Sequence, residues 1–260
     1  IFMFLLAFLG PYLSKHKWDE LDFMYLLQPP SREHWFGTTQ IGGDVFALTM
    51  RGLQKSLIIG LLVAFFSTGI AAIVGAFAGY LGGKIDKAMM WVVDLLLVLP
   101  VFLLIAVMSP LYRGKTWLIF VVLLAAFGWM ITSRIIRGMA MSLRERDFIR
   151  AARYMGVPTR TIVFRHLIPN VASILIISAT LDVGGTILSE TGLSYLGFGI
   201  QPPDVSLGSL IADGTNSALT YPWLFGFAGG ALVLTVLSVS FIGDGLRDAF
   251  DPGASTGSKS

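Results

Sequence analysis

Apolar residues lie along this chain in long windows that carry almost no charge. Five of these windows are long enough to cross a bilayer core of about 30 Å, which takes about 20 residues of helix. They cover residues 56–80, 88–108, 117–132, 171–189 and 221–243. A sixth apolar stretch, residues 1–13, opens the chain. The pattern predicts six transmembrane helices, and the first is expected to be truncated because about ten helical residues reach only about 15 Å.

The composition agrees with a chain embedded in a membrane. Of its 260 residues, 55% are hydrophobic and only 13% are charged, and the mean hydropathy is +0.74. Soluble domains carry about 25% charged residues, so a soluble globular protein does not fit. No charged start with a small-residue cleavage site is visible, so no cleaved signal peptide is predicted. The fold class that follows is an all-α polytopic membrane protein.

The positions of the basic residues predict the orientation. Twelve of the nineteen Lys and Arg fall in residues 81–87, 133–170 and beyond 243, which share one side of the membrane. Because Lys and Arg are retained in the cytoplasm during insertion, the N-terminus is predicted to be cytoplasmic. In a membrane chain this excess does not indicate a nucleic-acid partner. Cysteine is absent and His16, His34 and His166 are far apart in sequence, so no metal site is predicted.

Residues 133–170 hold eight of those twelve basic residues, in a pattern typical of two short helices. Ser142 and Glu145 have the spacing of a capping box. Gly156 can end a helix, Pro158 suits the first turn of the next, and Pro169 breaks the chain. A narrow apolar stripe runs through the segment, formed by Phe148, Ala151, Ala152 and Met155. One interpretation is a basic loop on anionic lipid; the favoured one is a docking element for a cytoplasmic partner.

The stretch "AARYMGVPTRTIVFRHLIPN" resembles the EAA loop of ABC-importer permeases, whose coupling helices contact the ATPases. The matching residues are Ala151, Ala152, Gly156, Ile168 and Pro169. Arg150 stands where the family often has Glu. The resemblance implies that ATPase coupling is carried by Arg150, Ala151, Ala152, Gly156, Pro158, Arg165, Ile168 and Pro169.

Four more stretches narrow the resemblance to the C-type permeases of dipeptide and oligopeptide importers (DppC/OppC-like). They are residues 36–57, 79–100, 189–214 and 241–252, with Gly43 where Arg is common. The resemblance implies a type I ABC-importer permease fold and peptide uptake in the cell membrane of a prokaryote. It also implies a homologous B-type permease, one or two cytoplasmic ATPases and an external substrate-binding protein as partners.

The chain itself is expected to have no catalytic residue and to bind no cofactor. ATP and Mg²⁺ would be bound by the partner ATPases. The stretch "SPLYRGKT", 109–116, ends like a phosphate-binding loop, but Ser109 replaces its first glycine and the segment joins two membrane helices on the predicted outer side. It is not predicted to bind a nucleotide.

Asp94 and Asp182 lie inside apolar windows and need explanation, because an ionised acid in hydrocarbon is costly, and Glu190 lies at the outer edge of its window. Asp182 and Glu190 are candidates for the translocation path, with a structural hydrogen bond as the alternative for Asp182. For Asp94 a structural role is favoured. The predicted organisation has a first part, residues 1–55, with the partial helix and an external segment. It is followed by a permease core, 56–243, with the coupling loop 133–170 and the external loop 190–220, and by a cytoplasmic tail, 244–260.

Other functions remain as alternatives. The same architecture could import nickel, sugar acids or opines. An ion-coupled secondary transporter would call for an internal repeat, and none is convincing in the sequence. An intramembrane protease would need a paired Ser and His or two catalytic Asp residues, and no His lies in an apolar window.

Overall fold

The computed structural model describes residues 2–112 and 117–250, and the regular secondary structure of this part of the chain is helical. In chain order its elements are α1 (Phe2–Leu13), α2 (Val45–Leu81), α3 (Gly83–Val98), α4 (Val101–Tyr112), α5 (Leu118–Gly128), α6 (Met130–Arg144), α7 (Asp147–Tyr154), α8 (Thr159–Thr161), a π-helical turn (Ile162–Leu167), α9 (Ile168–Asn170), α10 (Ala172–Tyr195), α11 (Leu207–Thr215) and α12 (Pro222–Phe250). The described residues form no strand, only two isolated bridges. The all-α prediction is confirmed.

Three helices, α2, α10 and α12, are each long and apolar enough to cross a membrane. Two further spans are obtained if α3 with α4, and α5 with α6, each count as one bent span; the bends are 69° and 40°. The first bend has a local cause, because Leu99, before Pro100, takes extended backbone and α3 ends at Val98. With its 12 residues, α1 is shorter than a full span. The described residues thus hold three to five candidate spans, where the sequence predicted six.

Several helices extend past the apolar windows that predicted them. The polar start of α2 reaches back to Val45, where the Asp44 carboxylate accepts a hydrogen bond from the backbone N–H of Ala47 at 2.8 Å. At the other end of the chain, α12 runs past the apolar window 221–243 to Phe250, so residues 244–250 of the predicted tail are helical. The final residues, 251–260, lie outside the described part.

The capping box predicted at Ser142 and Glu145 is wrong. Because α6 continues to Arg144, Ser142 lies in its last turn and Glu145 is its C-cap. The next helix begins instead at Asp147, which places a carboxylate in the first turn, where the helix dipole favours negative charge. The first twelve residues of the predicted loop 133–170 are therefore helix α6.

The chain folds as two compact units. Of the described residues, the first unit comprises 2–62, 105–112, 117–121 and 183–241, and the second comprises 63–104, 122–182 and 242–250. In the first unit, the rings of Phe36 and Phe227 stack with centroids 3.8 Å apart, and the Trp223 indole donates to the carbonyl of Thr38 at 3.3 Å. These contacts fix the segment before α2 against the start of α12.

In the second unit, α2 meets α6 at backbone distance. A Cβ at Gly75 would lie 2.5 Å from the carbonyl oxygen of Ser133 and 2.8 Å from Cβ of Ile136. Helices embedded in lipid commonly pack through small residues, because these let their backbones approach closely. Gly75 is therefore a packing requirement of this unit.

We expect Gly75→Val to force α2 and α6 apart and to lower the stability of the purified protein by about 1–3 kcal/mol, a common cost of overpacking. Thermal unfolding in detergent measures the effect. Gly69→Val is the matched control, because it makes the same change in the same helix at a site with no atom within 4 Å of the new Cβ. Equal losses in both variants would show that helix propensity, and not the contact, is responsible.

Candidate functional site

The basic segment identified in the sequence folds as α7, a turn and a second helical stretch from Thr159 to Asn170. The turn centres on Gly156, whose φ of +75° lies in the left-handed region that favours glycine. It is closed by hydrogen bonds from the N–H of Met155 to the carbonyl of Ala151 at 2.9 Å and from Val157 to Ala152 at 3.1 Å. The expected pair of short helices with a glycine between them is present.

One face of this segment is buried within the second unit. Ile149 and Ala152 of α7 join Ile162, Val163 and Leu167 of the following stretch in one hydrophobic cluster. The cluster rests on residues of α2 and α6, namely Ala72, Ala76, Tyr80 and Ile136. The segment is therefore seated on the membrane helices by an apolar core.

The opposite face of the segment is exposed and basic. Phe148, Tyr154 and Met155 show 46%, 84% and 76% of their surface to solvent. Five exposed arginines form no ion pair within the described part of the chain: Arg146, Arg150, Arg153, Arg160 and Arg165. A segment that exposes both apolar side chains and unpaired arginines has features that are typical of protein-docking surfaces.

The predicted coupling residues divide between these two faces. Arg150, Ala151, Gly156, Pro158, Arg165 and Pro169 are exposed, and Ile168 is half-buried. Ala152 differs, since only 5% of its surface is exposed. The predicted stripe therefore splits: Phe148, Ala151 and Met155 face outward, whereas Ala152 belongs to the core.

Two ion pairs join α3 to α6 in the same unit. Arg137 grips both carboxylate oxygens of Asp86, through Nε at 2.5 Å and Nη2 at 2.6 Å, which is the bidentate geometry that gives strong charge-assisted bonds. Arg134 pairs with Asp94. This pairing agrees with the structural role favoured for Asp94.

Glu190 is completely buried in the first unit and holds two serine hydroxyls. Ser56 of α2 donates to its Oε2 at 3.0 Å, and Ser194 donates to its Oε1 at 2.6 Å. Each serine oxygen in turn accepts a backbone N–H, from Leu207 at 3.2 Å and from Ile200 at 2.9 Å. The carboxylate thus ties α10, α2 and the start of α11 together, which is a structural role.

Asp182 lies in the middle of α10, and its Oδ2 is buried without a hydrogen-bond partner among the described residues. The structural hydrogen bond considered as an alternative for Asp182 is therefore not formed by this atom. Unlike Glu190, this acid retains an unused acceptor at membrane depth.

Comparison with known proteins assigns the chain. Residues 71–256 match the family described as binding-protein-dependent transport system inner membrane component. The chain belongs to this family. It is 59% identical over 253 residues to the oligopeptide transport system permease protein OppC of Mycobacterium bovis. The alignment covers 97% of this chain and 87% of the relative. The protein of the same name in Haemophilus influenzae is 38% identical over 256 residues, covering 97% of this chain and 82% of the relative.

A solved structure supports the fold of this permease. An inward-facing form of the MetNI methionine ABC transporter has a chain that superposes with a TM-score of 0.60 at 22% sequence identity. The match covers 78% of this chain and 97% of the MetNI chain. The permease therefore shares the helical fold of an ABC-importer membrane subunit. It is a transport subunit and not an enzyme, and family membership implies a second permease and an ATPase as partners.

Some organising residues of the permease were not found from its sequence. Lys55 is 5% exposed, bonds Oδ1 of Asp204 at 2.7 Å and lies 4.5 Å from the centroid of the Trp117 ring. The structure also brings His16 next to His34, although the sequence separates them. For Lys55 the sequence offered one signal, its position one residue before the apolar window 56–80. This signal does not show that the lysine pairs with Asp204, which is distant in sequence.

We expect Glu190→Ala to lower the stability of the permease by about 1–3 kcal/mol, because two buried hydroxyls lose their acceptor. Glu190→Gln keeps the side-chain shape and one carbonyl acceptor, and should cost less. Thermal unfolding of the purified protein compares the two variants. Ser189→Ala is the control, since its hydroxyl is exposed and bonds only within α10. An unchanged melting temperature for Glu190→Ala would contradict the structural role of this acid.

Proposed function

We propose that this permease is the C-type subunit of an ATP-driven importer of oligopeptides. Two relatives that align with almost the whole chain, at 59% and 38% identity, bear the name oligopeptide transport system permease protein OppC. Peptides differ in side chains but share a backbone and charged termini, so a wide and weakly selective path suits them. Selectivity would then rest with an external substrate-binding protein.

The proposed topology has six spans with the N-terminus in the cytoplasm. The spans are α1, α2, the α3–α4 pair, the α5–α6 pair, α10 and α12. The positive-inside rule supports this orientation, because it places α7 to α9 and their arginines in the cytoplasm. With this topology the segment before α2 and the region from the end of α10 to the start of α12 face outward, where the substrate-binding protein would dock.

The coupling role is supported by one observation: an exposed basic face on a segment whose other face is built into the membrane helices. A partner that binds Arg150, Ala151 and Pro158 would move the segment, and the cluster around Ile149 would pass that motion to α2 and α6. Transmission of this kind requires that the segment and the membrane helices stay in rigid contact while the transporter changes between two conformations. We propose that a cytoplasmic ATPase, which binds ATP and Mg²⁺, occupies this face.

Asp182 is the better of the two candidates for the translocation path. An acid at membrane depth usually faces a water-filled cavity or the bundle interior. The unpartnered Oδ2 of Asp182 leaves it free to accept from a peptide ammonium or amide group, whereas both oxygens of Glu190 already accept hydrogen bonds. We therefore propose Asp182, and not Glu190, as a residue of the path.

The test of this function is uptake by proteoliposomes that contain the whole transporter. We expect labelled oligopeptides to enter only with ATP and binding protein present. Uptake of Ni²⁺ without peptide uptake would favour the alternative cargo. Gly156→Val should reduce peptide uptake at least about 10-fold with membrane insertion intact, because a β-branched residue is strained at this φ. Gly156→Asn, which tolerates the conformation better, is the matched control, and equal loss in both would argue against the geometry of the turn.

The docking face can be mapped by crosslinking, since the chain has no cysteine. In membranes that contain the whole transporter, Ala151→Cys labelled with a maleimide that carries a photoactivatable group should crosslink to an ATPase on illumination. Ala152→Cys is the neighbouring control, and we expect it to react weakly because its side chain is buried. Capture of only lipid at Ala151, or equal capture at both positions, would contradict docking on this face.

A further inference from the structure

Three potential metal ligands meet in the first unit, in the segment between α1 and α2. His16 follows the end of α1, His34 lies midway along the segment, and Asp44 caps the start of α2. Each residue offers one donor atom, and the three donors lie within 4.8 Å of one another. This cluster lies outside residues 71–256, the part that matches the family.

The imidazole nitrogens of this cluster are not fully used by the protein. The His34 ring is 1% exposed, and its Nδ1 lies 2.9 Å from Oδ2 of Asp44. Nε2 of His34 and Nε2 of His16 are both buried and have no hydrogen-bond partner among the described residues. Buried polar atoms normally have a partner, so the unpaired Nε2 of His16 beside the His34–Asp44 pair calls for a ligand. Nε2 of His34 carries the ring proton when Nδ1 of the same ring faces an ion.

The cluster brings the donors close, and the partly buried His16 ring has to turn out of its stack with His34 to point a nitrogen at the same ion, because imidazole binds a metal in the plane of its ring. The rings of His16 and His34 stack with centroids 4.5 Å apart, and Tyr25 packs against His34 with centroids 5.3 Å apart. The second Asp44 oxygen, Oδ1, is fixed by the backbone N–H of Ala47 at 2.8 Å. The carboxylate and the His34 ring are thereby held in place before any ion binds.

We propose that His16, His34 and Asp44 bind one divalent transition-metal ion of the zinc class. Two His and one carboxylate form a donor set typical of Zn²⁺, with ligand distances of about 2.0–2.2 Å. Two neighbouring ligands at such distances lie about 3 Å apart, which is close to the separation of His34 Nδ1 and Asp44 Oδ2. The ion replaces the proton that these two atoms share, and this proton is released to solvent. Water fills the remaining coordination.

The ion would fasten the external segment to the start of α2. Residues 14–44 form no helix or strand, and the three ligands come from the two ends and the middle of this stretch. Joining them would fix the path of the segment between two membrane helices. The site does not depend on the identity of the cargo, so it goes beyond the proposed transport function and can be tested separately from it.

The first measurement is zinc binding by the full chain, purified with its partner subunits and stripped of metal with a chelator. Competition with a chromophoric zinc indicator should show one tightly bound Zn²⁺ per copy of this chain. The zinc bound by the partner subunits in the absence of this chain is measured separately and subtracted. His16→Ala and Asp44→Asn should each weaken this binding at least about 10-fold, as loss of one ligand requires. His166→Ala is the matched control, because it removes the remaining histidine, which lies outside the cluster, and zinc binding should be retained.

A second measurement guards against variants that misfold. Zn²⁺ should raise the melting temperature of the unaltered chain, since a ligand that binds only the folded state stabilises it, and should not raise that of His16→Ala. His16 suits this test because its side chain is only partly buried. The proposal is overturned if the unaltered chain takes up no stoichiometric zinc, or if folded His16→Ala binds it as tightly as His166→Ala.

Discussion

The backbone contact between α2 and α6 supports the rest of the second unit. Gly75 and Gly79 lie one turn apart on α2, and a Cβ at Gly79 would meet the carbonyl oxygen of Arg137 at 2.5 Å and Cβ of Ala140 at 2.7 Å. Because the two backbones are in contact, Ile136 packs with the small residues of α2 in the hydrophobic cluster that also contains Ile149 and Ala152 of α7. The position of the proposed docking face depends on this contact. With only eight residues, α7 is too short to be a stable helix alone and needs the cluster beneath it.

Hydrogen bonds to buried polar groups fix backbone segments that lie outside the regular helices. Lipid offers no hydrogen bonds, so each such group must find a partner in the protein. The Glu190 carboxylate does this for two serines, and these serines hold the backbone at Ile200 and at the start of α11. A single acid thereby helps to hold the irregular stretch between α10 and α11, together with the buried side chains of Ile200 and Leu207. Asp182 is the contrasting case, since its buried Oδ2 has no hydrogen-bond partner among the described residues.

The segment before α2 shows how a long irregular stretch is held without regular structure. Backbone hydrogen bonds close it into turns, for example from the N–H of Thr38 to the carbonyl of Gln28 at 2.9 Å. Side chains anchor it as well: the Phe36 ring stacks on Phe227, the Trp223 indole donates to the Thr38 carbonyl, and Asp44 caps α2. Asp44 serves both the helix and His34, so the start of α2 and the histidine pair depend on one carboxylate. A bound ion at the pair would add a third link to the same point.

The sequence by itself determined the helical character of the membrane region and the turn at Gly156, and Pro100 accounts for the bend after α3, although the sequence pattern predicted one span there. Each of these follows from local properties: apolar length, a missing N–H and a left-handed φ. Sequence patterns wrongly predicted a helix start at Ser142 and began the second span at residue 56 instead of Val45, because helices continue through polar residues where packing and caps support them. Only the tertiary structure decided that Ala152 faces inward, that Glu190 lies between Ser56 and Ser194, and that His16 meets His34. These relations join residues that are distant in sequence or choose between two faces of one helix, and no local pattern encodes which partner folding will bring near.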